Sequence, residues 1–305
     1  MGCYTDLAME AREMNPDIEG VTEEAVSNEG VEIKRIRITN DAAAKRLGKS
    51  KGLYTTIEAN DLVLRPLSLF EKTAAVLADE LSHMISRFDR SDSVLVVGLG
   101  NSAVTPDSLG PRTVGAVFAT RHFGSVIPES LSHSYRKVSK IVPGVLGTTG
   151  IETFDMIKGI SKRICPDLII AIESLASRRA ARISTTIQLS DAGIMPGSGV
   201  GNLRKGLNMD SIGIPVIAIG VPLVVHASTI TRDALVYLAE STGAAGSKES
   251  IEALAKKASD EKLEDLIVTP KDIDAIVRDM SGILADGINR ALFGGRYDEV
   301  KSLSL

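Results

Sequence analysis

Three residues able to move protons stand just after apolar runs. Asp107 follows Ser93-Val-Leu-Val-Val-Gly-Leu-Gly100 and a short loop, Glu173 abuts Asp167-Leu-Ile-Ile-Ala-Ile172, and His226 follows Gly213–Pro222 and Val224-Val225. An apolar run draws an abutting carboxylate inward, where it must be hydrogen-bonded, paired or raised in pKa. Two carboxylates sharing one site titrate as a coupled pair and divide acid and base roles, which is hydrolase chemistry with no substrate yet named. The bland reading of Asp107 is a first-turn helix carboxylate. Asp107, Glu173 and His226 together make an acid-acid-His set whose donor types suit zinc or a transition metal; a structural or hydrogen-bonding histidine is the plainer reading. Asn101 and Arg178 border the same positions. Arg178, Arg179 and Arg182 either pair with acids of a substrate or of the N-terminal segment, or lie on the surface.

Two glycine-rich stretches compete with this picture. Gly98-Leu-Gly100-Asn-Ser-Ala103 formally matches G-x-G-x-x-A, which would make the chain a nucleotide-dependent oxidoreductase. Pro106 falls where the phosphate-binding helix should already run, and no strand with a terminal acid follows at the usual distance. Gly197-Ser-Gly-Val-Gly201 with Arg204 and Lys205 lacks the G-K-[ST] ending of a phosphate loop, so it reads as a loop near the site.

To bring residues from separate apolar runs together, the runs must be neighbouring strands with the residues beyond their carboxyl ends. Helical patterns alternate with them: a stripe of Phe70, Leu77, Leu81, Met84, Ile85 and Phe88 after Pro66, a segment from Ile151 to Ile164, and a last helix from Ile273 to Phe293. The fold class is therefore α/β, an open doubly wound and mainly parallel sheet with helices on both faces. Val31–Ile38 and Leu53–Ala59 supply a small additional strand region. Ser228 or Thr229 starts a helix through Ala239, which Gly243–Ser247 breaks, and the tail after Gly294-Gly295 reads as loose. His83 reads as a surface residue of its helix. The first 29 residues carry eight acids and one base, and residues 31 to 56 carry seven bases and two acids. The N-terminal stretch therefore reads as a solvated acidic arm, or as an arm lying over its basic neighbour until removed.

Composition excludes several classes. With 35 basic and 39 acidic residues, net charge −4, no bulk field exists to hold nucleic acid. Two cysteines and four scattered histidines form neither a disulfide framework nor a zinc module, and no cofactor is expected. Aromatic content of 4% without Trp argues against base-stacking surfaces. No run approaches 18 apolar residues and no signal-like start is visible, so no membrane partner is expected and a cytoplasmic location fits.

At its candidate site the chain resembles the germination protease of endospore-forming bacteria, a self-processing endopeptidase that degrades small acid-soluble spore proteins. The resemblance lies in Gly98-Leu-Gly-Asn with Val104-Thr-Pro-Asp-Ser-Leu-Gly-Pro111, in Ala171-Ile-Glu-Ser-Leu-Ala-Ser-Arg178, and in Pro143–Thr153, Gly197–Lys205, Gly220–Val225 and Val268–Asp272. It spans nearly the whole chain, from Thr5 to the last helix. It implies a single α/β domain similar in fold to the hydrogenase maturation proteases, a homotetramer, a location in the spore core, and a precursor that clips its own N-terminus. The family's substrate pattern resembles Thr-Glu-(Phe or Ile)-Ala-Ser-Glu, cut after the first Glu. Thr5-Asp-Leu-Ala-Met-Glu10 is similar, so the implied self-cleavage bond is Asp6–Leu7, with residues 1–6 a propeptide and 7–305 the protease domain. The family's two proposed catalytic aspartates fall on Asp107 and on position 173, which is Glu here; His226 stands where the family has Asp. These two departures motivate an alternative, a catalytically impaired member that binds spore proteins or a metal.

Overall fold

The computed structural model describes residues 5–28, 30–125, 135–195, 205–242 and 266–304. Its centre is four parallel strands in the order β5 (Val138–Ile141), β4 (Val94–Gly98), β6 (Leu168–Ser177), β8 (Val216–His226). All five β4 residues are buried, the outcome of a strand covered on both faces and the reason its sequence reads as an unbroken apolar run. Alternate side chains of β6 serve different layers. Leu168, Ile170 and Ile172 enter the core beneath helices α3 (Leu67–Ile85), α4 (Leu109–Ala116) and α7 (Ile273–Phe293). Ile169 and Ala171 face α5 (Thr153–Ile164), packed with Phe154 and Ile157.

Beyond β8 the sheet turns antiparallel, through β7 (Thr186–Ser190), β3 (Gly52–Glu58), β2 (Val31–Ile38) and β1 (Val21–Asn28), and β9 (Ile267–Val268) pairs with the far end of β8. The sheet is thus mixed rather than mainly parallel, and the additional strand region is half of it. β1 escapes a sequence reading because it is an edge strand exposed along nearly its whole length, so its acids give no alternation.

Other expectations change in detail. β6 and β8 run on past Ile172 and Pro222, because both continue pairing with each other through Ser177 and Val225 across a bulge at Leu175/Ala176. The tail folds as α8 (Tyr297–Leu303), with Val300 fully buried and the Tyr297 hydroxyl donating to Asp286 at 2.6 Å. Helix α6 (Ala227–Thr242) starts directly after β8. His83 is exposed on α3, as expected. Gly197–Gly201, Arg204, and the Gly243–Ser247 break lie outside the described residues.

Thr5–Ala11 is not a solvated arm, whereas Asp17, Glu19, Glu23 and Glu24 are exposed. Leu7, Ala8, Met9 and Glu10 are at most 2% exposed, and Leu7 and Met9 pack with Ile36, Ile38, Tyr54 and Leu175. Residues Ala8–Glu13 form helix α1, beside α2 (Asp41–Leu47).

Candidate functional site

β4 ends at Gly98, paired with Ile172 of β6, and the Leu99 amide donates to the Ile172 carbonyl at 2.8 Å. Three glycines then let the chain fold tightly over this end. A Cβ at Gly98 would lie 2.4 Å from the Gly110 carbonyl, one at Gly110 would strike the Leu99 and Ile172 carbonyls, and one at Gly100, where φ is +116°, would lie 2.0 Å from the Asp107 carbonyl. The G-x-G pattern makes room for protein backbone, not for a pyrophosphate, which removes the observation behind a nucleotide-dependent oxidoreductase. The folded-back turn Thr105–Asp107 packs against β6, and the Asp107 carboxylate accepts from the Asn101 amide at 2.7 Å. Asn101 in turn holds the loop by accepting from the Ala103 amide at 3.0 Å. Asp107 is half-buried.

Glu173 is the next residue of β6 after Ile172, level with Leu99 and opposite Gly220 of β8. It is half-buried and lies inside a continuous strand rather than after its end. Strand alternation puts its side chain on the face of Ala171 and Leu175, between the layer of α5 and the layer of the N-terminal segment. Asp107 thus sits in the turn that folds back over the end of β4 against β6, and Glu173 on β6 one residue past the Gly98–Ile172 pair.

His226 does not join them in a metal set. It ends β8 opposite Ile267, one residue past the Ser177–Val225 pair, so it lies five β6 positions beyond Glu173, about 16 Å along the sheet. Among the described residues no group of three or more His, Cys, Asp or Glu could hold a metal ion.

The β4-side edge of β6 becomes free where β4 stops, and the N-terminal segment occupies it. Residues 172, 176 and 178 present their backbone groups to the same edge, since alternate residues of a strand share a side. Ile172 takes Leu99; Ala176 takes Asp6, its carbonyl accepting from the Asp6 amide at 3.0 Å and its amide donating to the Asp6 carboxylate at 2.8 Å; the Arg178 amide donates to Glu10 at 2.6 Å. Glu10 also accepts from the Arg179 amide at 3.0 Å and pairs with buried Arg182 at 3.0 Å, and the Thr5 hydroxyl donates to it. Arg182 further pairs with Glu13 at 2.5 Å and Glu58 at 3.2 Å. Burial pushes the Glu13 carboxyl up, but the hydrogen bond and charge of Arg182 outweigh it and hold its pKa below the ordinary value. Of the three arginines, Arg182 and Arg179 therefore meet the acids of the N-terminal segment through their side chains, and Arg178 through its backbone.

Two residues that the sequence did not single out complete the surroundings of the Asp6–Leu7 bond. Lys49 Nζ donates to the Thr5 and Asp6 carbonyls, both at 2.9 Å. Gln188 Nε2 donates to the Asp6 carbonyl at 3.2 Å while its Oε1 accepts from the Ala8 amide at 2.7 Å. Nothing in the sequence marks them: Lys49 is one of seven bases in a basic stretch, and Gln188 falls on an ordinary polar position of the alternating Thr186–Ser190.

Residues 3–260 match the family model described as germination protease. The chain is 44% identical to the germination protease of Caldanaerobacter subterraneus subsp. tengcongensis, over 97% of this chain and 95% of that one. It is 43% identical to that of Clostridium acetobutylicum, over 94% of each chain, and 38% identical to that of Bacillus subtilis, over 94% of this chain and 92% of the other.

Proposed function

The chain belongs to the germination protease family, and from that membership we propose that it is a sequence-specific endopeptidase made as a self-cleaving precursor, acting on small acid-soluble spore proteins during germination. In this reading the Asp107 and Glu173 pair performs the hydrolysis. One carboxylate, ionised, takes a proton from water as it adds to the scissile carbonyl; the other, protonated, delivers a proton to the leaving nitrogen. The same reading takes Asp6–Leu7 as the self-cleavage bond, residues 1–6 as propeptide, the spore core as the location, and a homotetramer as the assembly.

The observation that supports it most is the seating of Thr5–Glu10 along the strand that carries Glu173. Leu7 packs with Leu175, and Glu173 projects on the same face as Leu175. A segment with the family's substrate pattern is thereby bound along the strand that carries Glu173, through one backbone hydrogen bond from Asp6 to Ala176 and through its Asp6 and Glu10 carboxylates, which accept from strand amides. Occupancy of that edge also accounts for a precursor that is inactive toward other chains.

The test is incubation of the purified protein, after processing, with a peptide containing Thr-Glu-Ile-Ala-Ser-Glu. Cleavage after the first Glu is expected, and its loss in Asp107→Asn. Binding without cleavage would instead favour the impaired-member reading motivated by Glu173 and His226.

A further inference from the structure

We propose that Lys49 and Gln188 are catalytic residues of the self-cleavage, the donor pair that binds the Asp6 carbonyl oxygen and the negative charge that grows on it as water adds. This rests on the reading of Asp6–Leu7 as the scissile bond. Two donors on one carbonyl oxygen, 2.9 and 3.2 Å away, make the arrangement an oxyanion site uses.

Both donors are built into rigid parts of the fold. Gln188 lies on β7 between β3 and β8, opposite Thr56 and Gly220, and its amide spans the bond, holding the carbonyl of residue 6 and the amide of residue 8. Lys49 follows the left-handed Gly48 that ends α2, and its own amide is tied to the Ala44 carbonyl at 3.1 Å, which aims the side chain at the segment. On the other side of the bond the Leu7 amide donates to the Thr5 hydroxyl at 3.1 Å, which donates to Glu10. The peptide unit is thus gripped at its oxygen and at its nitrogen. Burial pushes the Lys49 pKa down against the pull of Asp6 and Glu10, and each hydrogen bond to the Asp6 carbonyl strengthens as negative charge grows on its oxygen.

The step balances as a hydrolysis. Water oxygen bonds to the Asp6 carbonyl carbon, the carbon–nitrogen bond to Leu7 breaks, one water proton ends on the Leu7 nitrogen, and the products are the Asp6 α-carboxyl group and a Leu7 amine. Lys49 and Gln188 donate hydrogen bonds throughout and transfer no proton.

The test measures the first-order rate of self-cleavage of the full chain by intact mass, together with hydrogen-exchange protection of residues 5–13. Lys49→Met and Gln188→Leu are each expected to slow cleavage by about 100-fold or more at unchanged protection, the usual loss for an oxyanion donor. Lys49→Arg, which keeps donors at the oxygen, is expected to recover much of the rate. Gln188→Glu preserves the shape and so remains informative if Gln188→Leu folds poorly; it should be as slow as the Leu variant. Wild-type rates in Lys49→Met and Gln188→Glu would overturn the assignment. So would rate losses matched by loss of protection, which would make both residues mere anchors. A wild-type chain never cut at Asp6–Leu7 would overturn the scissile-bond reading itself and this assignment with it.

Discussion

At position 173 this chain carries Glu where the resemblance to the family implies Asp. The extra methylene moves the carboxylate by about 1.5 Å, a displacement large enough to matter in catalysis. Opposite Glu173 stands Gly220, and a Cβ there would lie 2.5 Å from the Leu175 side chain, so Leu175 leans over the glycine toward Leu7. Glu173→Gln should abolish peptide cleavage, because an amide cannot act as the base; a wild-type kcat in that variant would remove Glu173 from the mechanism. Glu173→Asp should retain measurable activity, with kcat above wild type if the pocket still fits the shorter acid and below it if the pocket has adapted to Glu. Steady-state kinetics on the peptide decide between them. His226→Ala should leave kcat within a few fold of wild type, since about 16 Å of strand separates its position from that of Glu173.

At the scale of elements, the N-terminal segment is held by an ion-pair cluster that behaves as a latch. Arg182 is buried among Glu10, Glu13 and Glu58. Arg182→Met would leave Glu10 buried without its cation and should lower unfolding stability by about 3–5 kcal/mol, read from denaturant melts. Because the Glu13 pKa is depressed in the folded chain, its pairing stabilises fully above the unfolded value of 4.5 and is lost as pH falls through the lower folded value. Hydrogen-exchange protection of residues 5–13 should therefore hold from pH 7 to about 5 and fall below 4.5, and a flat profile down to pH 3 would exclude the latch. How much of this could be read from the chain differs by element. Val31–Ile38 shows its alternation and Ile273–Phe293 its periodicity, and both emerge within the bounds read from sequence. The far half of β6, Ser174–Ser177, has no apolar run to mark it, since its β4-side edge is paired by a segment more than 160 residues away. Acids in residues 6–13 read as solvated because their partners, Ala176, Arg178, Arg179 and Arg182, meet them only in three dimensions. The sequence draws attention to Asp107 and Glu173 because each comes after an apolar run, although Glu173 proves to lie within β6; Lys49 and Gln188 carry no such mark, because the role proposed for them exists only through the bond they touch.

At the scale of the whole molecule, one mixed sheet carries Glu173, seats the segment proposed to be cut, and supports the turn that holds Asp107. Among the described residues no helix is long and apolar enough to cross a membrane. Exposed Val63, Leu64 and Leu67 form an apolar strip beside a groove of about 560 Å³ lined by Phe70, Ile230 and Val268, a surface consistent with the proposed assembly. Sedimentation analysis should give a particle of about 130 kDa, four copies of the 32.4 kDa chain, and a 32.4 kDa species at micromolar concentration would exclude the tetramer. On the proposed function this chain cuts itself between Asp6 and Leu7, using Asp107 and Glu173. Intact-mass analysis with N-terminal sequencing tests it on wild type, Asp107→Asn and Glu173→Gln incubated side by side at mildly acidic pH. The expected result is a wild-type product beginning at Leu7, with both variants retained at full length. A wild-type chain that stays whole while cutting the peptide, or a variant processed at the wild-type rate, would contradict it.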